Sequence, residues 1–243
     1  MLELNRLYNM DCMQGMREFP DKFFELAIVD PPYGINITHK LIGANKKTRI
    51  GGFAIGKVYQ AKSFDKKQWD TAAPTPEYFA ELFRVSKNQI IFGGNYFALR
   101  ATPCFIVWDK KKRGLDQADC ELAWTSFNKP CRVIDYRWNG FMQGDMTGGK
   151  KAKEEKIHPT QKPVALYRWL LKHYAKAGDK ILDTHVGSAS SLIACYDEGF
   201  YYCGFELDAD YFRDAQERIE NAKRQARMFD PAIVRAENLQ LAI

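Results

Sequence analysis

Four consecutive residues, Asp30-Pro31-Pro32-Tyr33, follow directly on an apolar run over residues 24–29 that has the length of a buried strand. Two prolines in succession fix φ twice and remove two N–H donors, so the backbone is stiff and its carbonyl oxygens stay free to accept. Asp30 adds a carboxylate at the carboxyl end of the strand, where open α/β sheets build their sites. An exocyclic amine on a nucleobase needs such partners. Two acceptors orient its N–H bonds and leave the nitrogen lone pair facing an electrophile. Tyr33 offers a flat face on which a base drawn out of a helix can stack. A purely structural strand and proline turn would have the same local sequence, so the tetrapeptide has to be read with its companions.

Three further stretches could do related work. In Ile181-Leu182-Asp183-Thr184-His185-Val186-Gly187-Ser188 a strand ends in an acid, turns at a glycine and enters a helix whose free N–H groups can hold a carboxylate. Glu206, followed by Leu207 and Asp208, ends the next apolar run, where an acid can accept hydrogen bonds from both hydroxyls of a ribose, as in dinucleotide sites. A lone acid there is more often simply solvated; its position after the preceding motif gives it weight. His158-Pro159-Thr160-Gln161-Lys162-Pro163 leads into a helical pattern. Residues 51–57, GGFAIGK, match most of a phosphate-binding loop, but Val58 stands where a magnesium-binding hydroxyl belongs and no strand precedes it. The zinc chemistry of base deamination needs H-x-E with P-C-x-x-C, which this chain lacks. Its four histidines show no metal-ligand spacing, and His173, on a helix, reads as structural. No metal is expected.

The elements that must position these residues alternate between short apolar runs and helical faces, the pattern of an α/β fold on a mostly parallel sheet. Strands are expected over 24–29, 89–92, 104–108, 121–124, 180–183 and 201–206. Helices are expected over 76–85, from Pro163 to a stop at Gly178, over 188–198 with closure at Gly199, and from about Asp208 onward, with Phe212, Ala215, Ile219 and Ala222 on one face. Over 128–156 the periodicity breaks down, as in an inserted recognition segment.

The 243 residues suit one large domain, and a content of 46% hydrophobic residues supports a full core. No run approaches the length of a membrane span, and the N-terminal stretch is too polar for a secretory signal. Six scattered cysteines without a C-x-x-C pair fit reduced thiols in a cytoplasmic protein. The net charge of +6 is concentrated between Lys40 and Lys67, where eight basic residues face one acid. A solvated loop would look the same, but a positive field beside a reactive site is also what recruits phosphate backbones. Lys46, Lys47, Arg49 and Lys57, with the later Lys111, Lys112 and Arg113, are the candidate nucleic-acid contacts.

With these motifs in their order, the chain resembles the amino-methyltransferases that act on adenine N6 or cytosine N4 in DNA, in the beta subgroup, where the catalytic half precedes the cofactor half. The resemblance spans about Leu7 to Ala222. It implies a Rossmann-like S-adenosylmethionine-dependent methyltransferase fold with a seven-stranded, mostly parallel sheet, helices on both faces and the last strand antiparallel. The chain would be a single domain over 1–243, with a basic loop at about 34–67 and a recognition insert at about 128–156. It implies catalysis by Asp30, Pro31, Pro32 and Tyr33, S-adenosylmethionine as cofactor and double-stranded DNA as partner. The cofactor would be held by Asp11 and Cys12 (in Asn9-Met10-Asp11-Cys12), Asp30, His158, Thr160, Gln161, Lys162, Asp183, Thr184, His185, Gly187, Ser188, Glu206 and Leu207. A homodimer is common in the subgroup. Thr184 and His185 stand where the family has Pro-Phe, and Ala189 where it has glycine. Asp at position 30 favours adenine N6; cytosine N4, an RNA or protein acceptor, and a cofactor-binding regulator without turnover are the alternatives.

Overall fold

In the computed structural model, which describes residues 1–36, 70–113, 118–139, 142–144 and 153–228, eight strands form one sheet. They are β1 (Arg6–Asn9), β2 (Phe24–Val29), β3 (Ser86–Phe92), β4 (Phe105–Asp109), β5 (Cys120–Thr125), β6 (Arg132–Asp135), β9 (Lys180–Asp183) and β10 (Tyr201–Glu206). A separate small hairpin joins β7 (Trp138–Asn139) to β8 (Met142–Gln143). The order across the main sheet is β1-β10-β9-β2-β3-β5-β4-β6, and every neighbouring pair is parallel except the two made by β5.

The helices are α1 (Cys12–Arg17), α2 (Pro76–Val85), α3 (Val164–Tyr174), α4 (Ser190–Asp197) and α5 (Ala209–Met228). They cover both faces of the sheet. Along β3, Ile90 and Phe92 belong to the core shared with α3, α4 and α5, while Ile91 between them points into the core with α1 and α2. Ile181 and Leu182 divide in the same way on β9, as do Tyr202 and Cys203 on β10. This is the period-two geometry of a strand buried on both sides, and it explains why these strands read as continuous apolar runs. The helices show their expected faces: α2 buries Tyr78, Leu82 and Val85, and α5 buries Ala215 and Ile219.

Three features depart from the sequence expectation. The sheet has eight strands, not seven: to the six expected runs it adds Arg6–Asn9, paired with β10 at one edge, and Arg132–Asp135, inside the stretch read as aperiodic, paired with β4 at the other. One exposed face leaves β6 with a single buried side chain, Ile134, too little for a strand signal. The antiparallel strand is β5, the fifth in the chain. β5 follows β4 in the chain and runs back beside it, whereas a parallel neighbour needs a crossover. Pro163 caps α3 from outside, and α3 ends at Tyr174, with Ala175 already extended. Gly178, with φ of +86°, serves the turn into β9. No described helix is long and apolar enough to cross a membrane.

Candidate active site

Parallel pairing brings the singled-out acids to one edge. Asp30 follows β2, Asp183 ends β9, Glu206 ends β10, and Asn9, opposite Glu206 in the β1–β10 register, ends β1 just before Asp11. The carboxyl ends of neighbouring parallel strands thus line one crevice, where open α/β sheets take their ligands.

The Asp30 motif is held from several directions. Tyr33 Oη donates to Asp30 Oδ1 at 2.7 Å, and Lys162 Nζ donates to Asp30 Oδ2. The exit from the prolines is clamped by Asp70, whose Oδ1 accepts from the Tyr33 N–H at 2.7 Å and the Gly34 N–H at 2.8 Å. Tyr33 stacks on Tyr96 with ring centroids 5.0 Å apart and planes 16° from parallel. Gly93, with φ of +68°, lies so close to the Tyr33 ring that a Cβ there would overlap it. Burial, followed by the charge of Asp30, holds the Tyr33 phenol well above its ordinary range, so it stays a donor.

Lys162 is nearly inaccessible, with 4% of its side chain exposed, and makes a second ion pair to Glu121 Oε2 at 3.2 Å. Its ammonium also lies 4.6 Å from the centroid of the Phe92 ring. Burial alone would lower its pKa, but Asp30 and Glu121 outweigh that and raise it, so Lys162 is a cation here. Glu121 Oε1 is taken by Lys110. Against the upward push of burial, Lys162 and Lys110 hold the Glu121 carboxyl at about 2.

On the other side of the crevice, Glu206 is fixed by its backbone surroundings. Its Oε2 accepts from the Gly187 N–H at 2.8 Å and its Oε1 from the Asp208 N–H at 2.9 Å. Asp183 is 2% exposed and accepts from the His185 N–H at 3.0 Å and from the Ser191 hydroxyl. Burial pushes its carboxyl up to about 7 against those two hydrogen bonds, and burial raises Glu206 as well. His158 lies over Gly187 and edge-on to Tyr211, and its Nδ1 is 3.1 Å from Thr160 Oγ1, so the 158–163 segment closes down on the 183–188 loop. Leu207, at 69% exposure, presents a bare apolar side chain beside Glu206.

The unusual loop residues have physical explanations. Burial drops the His185 pKa to about 4, so the imidazole is neutral and meets Tyr78 edge-on at 5.4 Å, the part an aromatic residue would play. Thr184 Oγ1 ties Tyr78 Oη at 2.6 Å to His185 Nδ1 at 2.9 Å. Ala189 is fully buried in the left-handed region, with φ of 62°, which a glycine would adopt at lower cost.

Several expected cofactor residues have other duties. Asp11 caps α1, its Oδ1 accepting from the Met13 and Gln14 N–H groups. Gln161 braces its own loop: its side chain bonds the backbone of Ile157 and Glu155, and its carbonyl accepts from Trp138 Nε1. Ser188 is buried, its hydroxyl 3.1 Å from that of Ser190. Cys12 is pushed up to about 12 by burial and then Asp11, so it is a neutral thiol. Lys162 lies in the Asp30 half of the site, where sequence reading had placed it with the cofactor. Of the candidate nucleic-acid contacts, Arg113 forms a fork onto Asp109 at 3.0 and 2.7 Å and Lys111 pairs with Asp135 at 2.7 Å, so their charge is already matched locally. Lys112 is half-buried, its pKa lowered by burial and then by Lys110. Lys46, Lys47, Arg49, Lys57 and the GGFAIGK stretch lie outside the described residues.

Sequence reading missed Asp70, Tyr96 and the Glu154–Arg218 pair, and it gave Lys110, in a basic cluster, and Glu121, in an expected strand, no part in the site. Arg218 donates to the Ser188 carbonyl at 2.6 Å and to Glu154 at 2.7 Å, fastening α5 and the 153–163 segment to the loop. Each is a charged or aromatic residue in an undistinguished local pattern. Only the proximity of Glu121 to an expected strand end could have drawn attention to it.

A mostly parallel α/β sheet with two acids on adjacent strand ends, a glycine turn into a helix and a stiff Asp-Pro-Pro-Tyr corner makes a Rossmann-like ligand crevice. Residues 102–217 match the family model described as DNA methylase, the N6/N4 type. It is 23% identical over 233 residues to the candidate methylase YubD of Escherichia coli K12, covering 91% of this chain and 92% of YubD. Two solved structures share the fold. The M1.HpyAVI complex with SAM has a TM-score of 0.53 at 18% identity, covering 88% of this chain and 98% of that one. The cytosine-N4-specific PvuII DNA methyltransferase has a TM-score of 0.51 at 12% identity, covering 90% and 91%.

Proposed function

We propose that this protein transfers the methyl group of S-adenosylmethionine to adenine N6 in double-stranded DNA. The observation that carries the reading is the placement of Asp30, stiffened by two prolines, on the same strand edge as Asp183 and Glu206. The residues fit the cofactor. Asp183 and Glu206 are both pushed upward by burial, so a cationic ligand beside them would relieve a standing cost. Glu206, held by two N–H groups, keeps lone pairs for a ribose diol, and Leu207 offers an apolar surface for a purine ring. Asp183, Gly187, Glu206 and Leu207, with His158 and Thr160 closing over them, are the residues that would hold it.

When bound, the cofactor supplies an electrophilic methyl group. Asp30 accepts an N–H of the target base and turns the amino lone pair toward the methyl. It then takes the proton that nitrogen loses as its new bond forms. Tyr33 orients Asp30 through its hydroxyl and carries the base on its ring. The work is orientation and exclusion of water, with no covalent bond to the protein. Asp in the first motif position is the ground for adenine over cytosine. The basic stretch 40–67 is the ground for a nucleic-acid acceptor.

The test uses methyl-labelled S-adenosylmethionine, DNA from a methylation-deficient host, digestion to nucleosides and mass spectrometry. Labelled N6-methyladenine is the expected product. N4-methylcytosine would overturn the base assignment and keep the mechanism. No labelled nucleoside from protein that binds the cofactor would overturn the reading.

A further inference from the structure

Both oxygens of the Asp30 carboxylate are engaged, one by the Tyr33 hydroxyl and the other by the Lys162 ammonium. A base amino group needs one of them. The neighbourhood holds a second carboxylate for the lysine. Glu121 Oε2 lies 3.2 Å from Lys162 Nζ, off the angle of a hydrogen bond, and this buried oxygen has no hydrogen-bond partner among the described residues. A buried carboxylate oxygen that has an ion-pair neighbour but accepts no hydrogen bond leaves part of its burial cost uncompensated until a donor turns to it. Here the missing donor stands beside it, committed elsewhere.

We propose that Glu121 is a positioning residue that receives Lys162 when the target base enters, freeing Asp30 Oδ2 for the base amino group. The proposal rests on the methyltransfer reading above. The movement is short, because the ammonium already touches both carboxylates, and no proton changes hands. Lys162 remains a cation in either seat, and Glu121 remains an anion through Lys110 on its other oxygen. Antiparallel pairing of Glu121 with Trp108 places it at the end of β5 nearest the site. In the resting arrangement the ion pair stabilises Asp30 without substrate. With the base bound, the ammonium keeps a carboxylate partner in Glu121, while Asp30 exchanges the ammonium for the base amino group and keeps the Tyr33 hydroxyl.

The experiment is single-turnover counting of labelled methyl groups on the DNA used above, with Glu121→Gln, Lys162→Met and the double variant. Cofactor affinity and circular dichroism are measured in parallel. E121Q keeps the size of the side chain and removes the charge that draws Lys162 away. It should lower the methyl-transfer rate by about tenfold or more, the scale of one charge-assisted hydrogen bond, with cofactor affinity within about twofold of wild type. In the K162M background the same substitution should change the rate by less than about twofold, because its effect passes through Lys162. An equal loss in both backgrounds, or an E121Q rate like wild type, would overturn the proposal. If E121Q does not fold, Glu121→Asp retains the charge but withdraws its reach and should show the same Lys162-dependent loss. A wild-type protein that methylates no base would instead remove the reading on which the proposal stands.

Discussion

Replacing Asp183 by Asn should make the protein more stable, and increasingly so as pH rises. An aspartate ordinarily ionises near 3.8, and burial moves this one to about 7 in the folded protein, against the pull of the Ser191 hydroxyl and the His185 N–H. The folded state therefore binds the proton more tightly than the unfolded state. Below the unfolded value both states are protonated and nothing is lost. Between about 4 and 7 the fold must either keep the proton or bear a buried anion, and stability falls as pH rises; above 7 the cost is constant. At about 1.4 kcal/mol per pKa unit the full cost is on the order of 4 kcal/mol, and roughly 2.5 kcal/mol of it develops between pH 5 and pH 8. Asn has nearly the same shape, can accept from the His185 N–H and can donate toward Ser191, so the substitution leaves no cavity. Urea unfolding of both proteins at pH 5, 6, 7 and 8 reads the difference directly, since the other titrating groups are shared. The D183N advantage should grow by about 2.5 kcal/mol across that range and level off above pH 7. Parallel stability curves would refute the argument that Asp183 is a buried acid held at a cost. The variant should also bind S-adenosylmethionine more weakly, exchanging cofactor affinity for stability.

Three other outcomes are expected. Asp30→Ala should lower methyl transfer by at least about a hundredfold while circular dichroism stays unchanged, because Glu121 remains to pair with Lys162. Near-normal turnover would remove Asp30 from the chemistry. Gly93→Ala should cost roughly 2–4 kcal/mol in thermal or urea unfolding and displace Tyr33, since the residue has φ of +68° and a Cβ would overlap that ring. Unaltered stability and rate would show that the ring has room to yield. Neutralising Lys46, Lys47 and Arg49 together should reduce the salt dependence of DNA binding, with the slope of log affinity against log salt falling by up to about 2.7; an unchanged slope would mean that these charges do not meet phosphates.

Much of the scaffold was legible because its signals are local. The strands over 24–29, 180–183 and 201–206 and the helix over 76–85 announce themselves through runs and periods that depend on a few neighbouring residues. The acids that end those strands, Asp183 and Glu206, and Asp30 just beyond, are visible for the same reason. In a parallel sheet a residue at a strand's carboxyl end has one place to go. What the chain does at 132–135 was not legible, since an edge strand with one buried side chain carries almost no period.

Only the tertiary structure decided which of these residues act on one another. Lys162 reaches Asp30 across 132 positions, and Asp70 reaches the Tyr33 N–H across 37. Glu121 meets Lys162 and Lys110 because β5 reverses direction between β3 and β4. Such contacts follow from strand order and register, which the whole core sets and no local window encodes. The same holds for proton affinity. Asp183 and Glu121 are ordinary carboxylates in the sequence. One is driven up to about 7 by burial with no cation beside it among the described residues, and the other down to about 2 because two lysines do reach it. The sequence by itself determines which groups can ionise and on which element each sits. Packing decides the dielectric around them and the charges they face, and so which form they take.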